Sequence, residues 1–173
     1  MPHLHLSLQA GDDLILKRMK RRHLRADAIQ LVETVRAARP DIALGADLIA
    51  GFPTESEAAF ENTLDLVDAC GLSYVHVFPF SPRPGTPAQR MPQLARSTVK
   101  DRARRLRAKA ADALERHLSR QVGRTVSALV EREGLARAED FTEVSFKGAL
   151  RPGEIARLRI EGFADGRAFA TLA

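Results

Sequence analysis

Leu4, Leu6 and Leu8 alternate with His3, His5 and Ser7. That period of two predicts a strand with one apolar and one polar face. Gln9, Ala10 and Gly11 break the pattern, and Leu14 and Leu16 lead into a short basic helix carrying Lys17, Arg18, Lys20, Arg21 and Arg22. Ile29, Val32 and Val35 recur at helical spacing, predicting a helix over 26–39 that Pro40 ends. Residues 42–50 are mostly apolar without helical period and close on Gly51-Phe52-Pro53, which reads as a buried strand. Thr54 with Glu57 three positions on has the form of a capping box, so a helix is expected over 55–69, with Phe60, Leu64 and Val67 as its buried stripe and Gly71 as its end. Residues 73–80 alternate again and predict a third strand.

Strand, helix, strand, helix, strand is the pattern of right-handed parallel crossover units, so the fold class is α/β. Three parallel strands with two crossovers neither close a barrel nor cover both faces of a sheet, and the pattern therefore reads as part of a larger α/β structure. Residues 81–93 hold four prolines and Gly85 and predict a loop. An Arg- and Ala-rich helix follows over 96–120, with Leu106, Ala110, Ala113, Leu114 and His117 as a candidate inner stripe. Beyond Val122, glycines separate short runs at 125–131, 142–146, 155–160 and 168–172. That spacing predicts a small antiparallel β-barrel. The expected organisation is residues 1–95, a connecting helix 96–120, and a barrel 121–173.

Charge sharpens this division. The 173 residues carry a formal +5, but residues 1–95 hold 10 Lys/Arg against 11 Asp/Glu and residues 121–173 hold 8 of each. Residues 96–120 hold 9 against 3, a local +6, which suits either a partner rich in phosphate or a solvated helix face. One cysteine, Cys70, excludes an internal disulfide. The start lacks the basic and apolar regions of a secretory signal, and no run approaches a membrane span, so a cytoplasmic chain is expected.

Ligands of parallel α/β folds sit at the carboxyl ends of the strands. Those ends are the turns at Gln9–Gly11, Gly51–Glu55 and Phe78–Ser81. Asp47, a carboxylate on an apolar strand, is either a ligand-binding group or one end of an internal ion pair. His3 and His5 share a strand face and His76 sits on another strand; they are either interior hydrogen-bonding groups or metal ligands of a barrel hydrolase. Arg83, on a loop stiffened by prolines, suits a carboxylate or phosphate contact.

At greater length the motifs are recognisable. His5-Leu6-Ser7-Leu8-Gln9-Ala10-Gly11-Asp12, the run Leu14 to Arg21, Asp47-Leu48-Ile49-Ala50-Gly51-Phe52-Pro53-Thr54-Glu55, and His76-Val77-Phe78-Pro79-Phe80-Ser81-Pro82-Arg83-Pro84-Gly85-Thr86-Pro87-Ala88 occur in the order of the radical S-adenosylmethionine tRNA methylthiotransferase (MiaB/MtaB-like) family. The segment His76 to Ser81 is most similar to the branch that acts on threonylcarbamoyladenosine. Ala10 and Thr54 depart from the family's usual Ser and Gly. The resemblance implies the C-terminal half of a radical S-adenosylmethionine partial (β/α) barrel, followed by a TRAM-like RNA-binding barrel. It implies S-adenosylmethionine and two 4Fe-4S clusters as cofactors and the tRNA anticodon stem-loop as partner. The reaction implied is transfer of a methylthio group to C2 of the modified adenine. Gln9, Asp47, Gly51, Phe78 and Pro79 would line the S-adenosylmethionine side. Lys17, Arg18, Lys20, Arg21, Arg83, Arg102 and Arg105 would approach RNA. The cysteines that hold the family's clusters have no counterpart here, so the chain alone is expected to be inactive and to be part of a longer protein. Two other readings are a non-catalytic RNA-binding module and a metal-dependent hydrolase built on His3, His5 and His76.

Overall fold

The computed structural model describes residues 1–173 in two compact units. The larger is built on strands β1 (His3–Gln9), β2 (Ala43–Ala50) and β3 (Tyr74–Pro79), in spatial order β1-β2-β3. Strands β2 and β3 run parallel with Asp47 opposite His76. Helices α1 (Asp13–Arg18) and α2 (Arg25–Ala38) separate the first two strands, and α3 (Glu57–Ala69) the second two. A 3-10 turn at Pro87–Arg90 precedes α4 (Arg96–Gln121).

Periodicity decides which face of the sheet is covered. Leu44, Ala46, Leu48 and Ala50 are wholly buried, as are Phe60 and Val67 of α3. The alternate positions His5, Ser7, Asp47, Ile49, His76 and Phe78 lie on the other face and are exposed or half-buried. The sheet thus offers an open polar and aromatic surface along its whole width.

The cap of α3 differs from expectation. Ser56, not Thr54, is the N-cap, accepting from the Ala59 N–H at 3.1 Å, and the helix starts at Glu57. Glu55 cannot join the helix because its side chain is committed beneath the preceding turn, where it accepts the Gly51 N–H at 2.9 Å.

The smaller unit is a closed five-stranded barrel. Its strands are β4 (Thr125–Arg132), β5 (Leu135–Ala138), β6 (Glu143–Phe146), β7 (Ile155–Ala164) and β8 (Arg167–Leu172), in the order β4-β5-β6-β8-β7, closed by β4 against β7. It is not wholly antiparallel as expected: β6 and β8 pair in parallel. Its core combines Ala136, Ala138, Ala168 and Ala170 with Val130, Val144, Leu158 and Ile160. So narrow a barrel has room inside for small side chains alternating with branched ones. The last turns of α4, from Leu114 onward, belong to this unit, and Leu118 joins its core.

A polar knot ties that helix end to the barrel. Asp140 Oδ2 lies 3.1 Å from His117 Nε2 and accepts from Gln121 Nε2 at 2.9 Å, while Oδ1 accepts the Thr142 N–H at 3.0 Å. Burial pushes the Asp140 carboxyl up, but the bonds from His117 and Thr142 outweigh it and hold the group below its ordinary 3.8. A carboxylate with a depressed folded value contributes stability that is complete above the unfolded value and lost as pH falls through the folded one. The urea midpoint of the parent chain should therefore exceed that of Asp140→Asn at neutral pH. The gap should narrow once pH falls below the ordinary value and go on narrowing as pH falls through the lower folded one, which paired urea titrations at successively lower pH would check.

Candidate functional site

The carboxyl ends of β1, β2 and β3 meet around a cavity of about 430 Å³. Gln9 from β1, Asp47 and Ile49 from β2, and Phe78 and Pro79 from β3 line it, with Arg83 from the loop that follows. Of the five residues expected to bind the cofactor, four are thereby brought together. Gly51 is not among them and lines a neighbouring cavity of about 570 Å³. A cavity of 300–1,000 Å³ with apolar walls and a few convergent polar groups is the usual form of a small-molecule site.

Close backbone approach shapes the rim. Gly51 has φ +80°, and a Cβ there would lie 2.8 Å from Val99 Cγ2 of α4. A Cβ on Gly11 would lie 2.3 Å from the Asn62 carbonyl oxygen of α3, so the turn after β1 seats directly on that helix. Thr54, with φ 66°, adopts the conformation that glycine reaches without strain. Arg18 holds it there, donating from Nη1 to Thr54 Oγ1 at 2.6 Å and to its carbonyl at 3.3 Å.

Beneath the Gly51–Glu55 turn lies an ion pair that the sequence reading missed. Arg102 Nη1 donates to Glu55 Oε2 at 2.8 Å and to the Glu55 carbonyl at 2.8 Å, and Nη2 donates to Glu57 Oε2 at 3.0 Å. The Glu55 side chain is 0% exposed and that of Arg102 is 6% exposed. Burial pushes the Glu55 carboxyl up, while the Gly51 N–H and Arg102 pull it down. The available signal was the place of Arg102 beside Ala103 and Leu106 on the buried stripe of α4.

The basic helix therefore divides its charges. Arg102, expected to approach RNA, is buried against Glu55 and Glu57, and Arg105, expected to do the same, is half-buried and pairs with Glu57 and Glu61. The Arg105 hydrogen bond holds Glu57 below its usual range. Arg104 pairs with Asp101 and Lys109 with Asp68. In contrast, Arg96, Lys100 and Arg107 are exposed and line the larger cavity beside Phe80, where no carboxylate faces them. Lys17, Lys20 and Arg21 are also exposed, whereas Arg18 is half-buried against Thr54 and Arg83 opens into the smaller cavity.

The open sheet face carries one further cluster. Asp47 Oδ1 lies 2.9 Å from His5 Nε2 and 3.2 Å from His76 Nδ1. The internal partner left open for Asp47 is thus a pair of histidines. His3, expected with His5 and His76, is not in the group; Asp47 takes its place. Cys70 is wholly buried, and burial pushes its thiol up.

Residues 1–67 match the family model of the Radical SAM superfamily. The chain is 46% identical over 166 residues to the threonylcarbamoyladenosine tRNA methylthiotransferase MtaB of Rickettsia prowazekii (strain Madrid E), covering 96% of this chain and 39% of that protein. It is 43% identical over 171 residues to the tRNA-2-methylthio-N(6)-dimethylallyladenosine synthase of Ruegeria pomeroyi, covering 92% and 38%. It is 45% identical over 169 residues to the same synthase of Jannaschia sp. (strain CCS1), covering 92% and 36%. The chain thus spans under two fifths of the length of these curated relatives.

Proposed function

From the premise that this chain belongs to the radical S-adenosylmethionine tRNA methylthiotransferase family, we propose that it supplies one wall of the S-adenosylmethionine cavity and the RNA-handling part of such an enzyme. The observation that carries the reading is the convergence of Gln9, Asp47, Phe78 and Pro79 from three strands on one cavity. Their chemistry fits the cofactor. The Asp47 carboxylate suits a cationic ammonium or sulfonium, the Gln9 amide suits polar edges, and Phe78 offers a flat apolar wall to an adenine. Bound there, S-adenosylmethionine would supply the radical and the methyl group. The iron–sulfur clusters do not fit this chain. A 4Fe-4S cluster needs several thiolates, and Cys70 is the one cysteine and lies in the core. The 173-residue chain by itself is accordingly inactive on this reading.

The proposed substrate is N6-threonylcarbamoyladenosine beside the tRNA anticodon, methylthiolated at C2. It is supported by the activity of the 46% identical MtaB of Rickettsia prowazekii and by the segment His76 to Ser81. The closed barrel is proposed as a TRAM-like RNA-binding domain, and the setting as cytoplasmic. No helix is long and apolar enough to cross a membrane.

Calorimetric titration of the chain with S-adenosylmethionine tests the cavity. Asp47→Asn should weaken binding about 10–100-fold, the equivalent of a charge-assisted hydrogen bond of about 1.5–3 kcal/mol. Absence of binding by the parent would remove the cavity from the reading.

The RNA part has its own test. An anticodon stem-loop should bind with an affinity that falls linearly with salt on logarithmic axes. Changing Arg96, Lys100 and Arg107 together to alanine should lower that slope by about 2–3, at about 0.7–0.9 per phosphate contact. Fluorescence anisotropy over a salt series reads both quantities. Binding of RNA without binding of S-adenosylmethionine would instead favour the non-catalytic RNA module.

A further inference from the structure

We propose that His5, Asp47 and His76 form a binding site for a divalent transition-metal ion. The inference rests on side-chain geometry; it draws on the Asp47 carboxylate that the cofactor reading also uses, so the two histidines, which that reading does not use, separate the tests.

Each of the three adjacent strands contributes one ligand-type side chain to the open face of the sheet. Asp47 and His76 are direct partners in the β2–β3 register, and His5 comes from β1 on the other side of β2. One ligand atom from each residue lies within 4.8 Å of the other two. Metal–nitrogen and metal–carboxylate bonds of about 2.0–2.2 Å separate neighbouring ligand atoms by about 3.0–3.5 Å in octahedral or tetrahedral geometry. The two distances to Asp47 Oδ1, 2.9 and 3.2 Å, are already close to that spacing. The imidazole rings lie with centroids 4.9 Å apart, tilted by 36°, so side-chain rotation alone can bring both nitrogens onto one ion. The backbone ladder holds the three Cα positions meanwhile.

The donor set selects the ion. Two imidazole nitrogens and one carboxylate oxygen suit zinc, iron, cobalt or nickel, whereas calcium and magnesium prefer oxygen ligands throughout. Three protein ligands leave coordination positions open, as catalytic rather than structural sites do. Asp47 also lines the 430 Å³ cavity, so the open positions would face a bound small molecule. An oxygen-bearing ligand, such as a carboxylate, could complete the sphere. Thiolate does not compete, since Cys70 is buried.

The test uses the full chain, stripped with a chelator and titrated with cobalt(II) and with zinc. Visible d–d bands report cobalt and calorimetry reports zinc. One ion per chain is expected, with a rise in the thermal midpoint because the ion binds the folded state. His5→Gln, Asp47→Asn and His76→Gln should each weaken uptake beyond the roughly 10–100-fold that loss of even an outer-sphere partner costs. His23→Gln is the control: His23 lies outside the cluster, with Nε2 3.2 Å from the Leu8 carbonyl, and its removal should leave uptake unchanged. Both histidines of the cluster are exposed, so their glutamine variants should keep the parent's circular dichroism and carry the test if Asp47→Asn does not fold. Uptake below one equivalent, or uptake retained in both His→Gln variants, would overturn the site.

Discussion

Replacing Arg102 by methionine lowers the unfolding free energy by about 3–5 kcal/mol, because it leaves the buried Glu55 carboxylate without its counter-charge. The effect depends on pH in a definite direction. Burial already pushes the Glu55 carboxyl above its ordinary 4.5, and loss of Arg102 moves it further the same way. A carboxyl whose folded value is raised is comfortable when protonated, and the variant loses stability as pH rises through that value. Urea midpoints should therefore show a larger deficit at about pH 8 than at about pH 5. The companion test is the double variant Arg102→Met, Glu55→Leu. Glu55 Oε1 and Arg102 Nε have no hydrogen-bond partner even in the parent, so the pair is incompletely satisfied. Removing both partners should recover most of the loss, since an apolar pair of similar volume leaves no orphaned charge. A double variant no more stable than the single one would show that the pair does more than neutralise itself. The Glu55 bond to the Gly51 N–H would then be the interaction that holds the turn.

Phe60→Ala should cost about as much, roughly 3–5 kcal/mol, by a different route. The ring is wholly buried on α3, and its removal leaves a void that a helix held at both ends cannot collapse into. Its outer face is also in use: the Arg102 and Arg105 guanidinium carbons sit 5.4 and 4.7 Å from the ring centroid. Phe60→Leu keeps most of the volume and loses the stacking, worth about 0.5–2 kcal/mol. Urea titration of both variants separates the two contributions. Because Phe60 and Arg102 touch, their changes should not add, and a double-mutant cycle would measure the coupling. Equal losses in the alanine and leucine variants would mean that the stacked cations, not the core volume, dominate at this position.

These two sites show what the sequence exposes and what it hides. Alternation at Leu4, Leu6 and Leu8 locates β1 and the apolar run before Gly51 locates β2, because burial on one face leaves alternation and deeper burial leaves a continuous apolar run. The 26-residue α4 is legible for the same reason. Strand β5 is not. Leu135-Ala136-Arg137-Ala138 has the local preferences of a helix and is a strand because the barrel closes around it. Within the site, the glycine and proline turns point to the strand ends where Gln9, Asp47, Phe78 and Pro79 gather. Pairings distant in sequence leave no such trace: Arg102 with Glu55 and His5 with Asp47 are joined only by tertiary structure. For that reason a count of charges on α4 overstates what it offers a polyanion. Arg102, Arg104, Arg105 and Lys109 are spent on neighbouring carboxylates, whereas Arg96, Lys100 and Arg107 line a cavity to which no carboxylate contributes.

Strand β8 sits between β6 and β7, hydrogen-bonded to both. It is also made last of the five. Without it, β4 to β7 are an open ribbon whose β6 and β7 edges both have unpaired backbone groups. Those edges can recruit another chain as readily as their own partner. A chain lacking residues 167–172 should thus self-associate more than the parent at matched concentration, which light scattering would check.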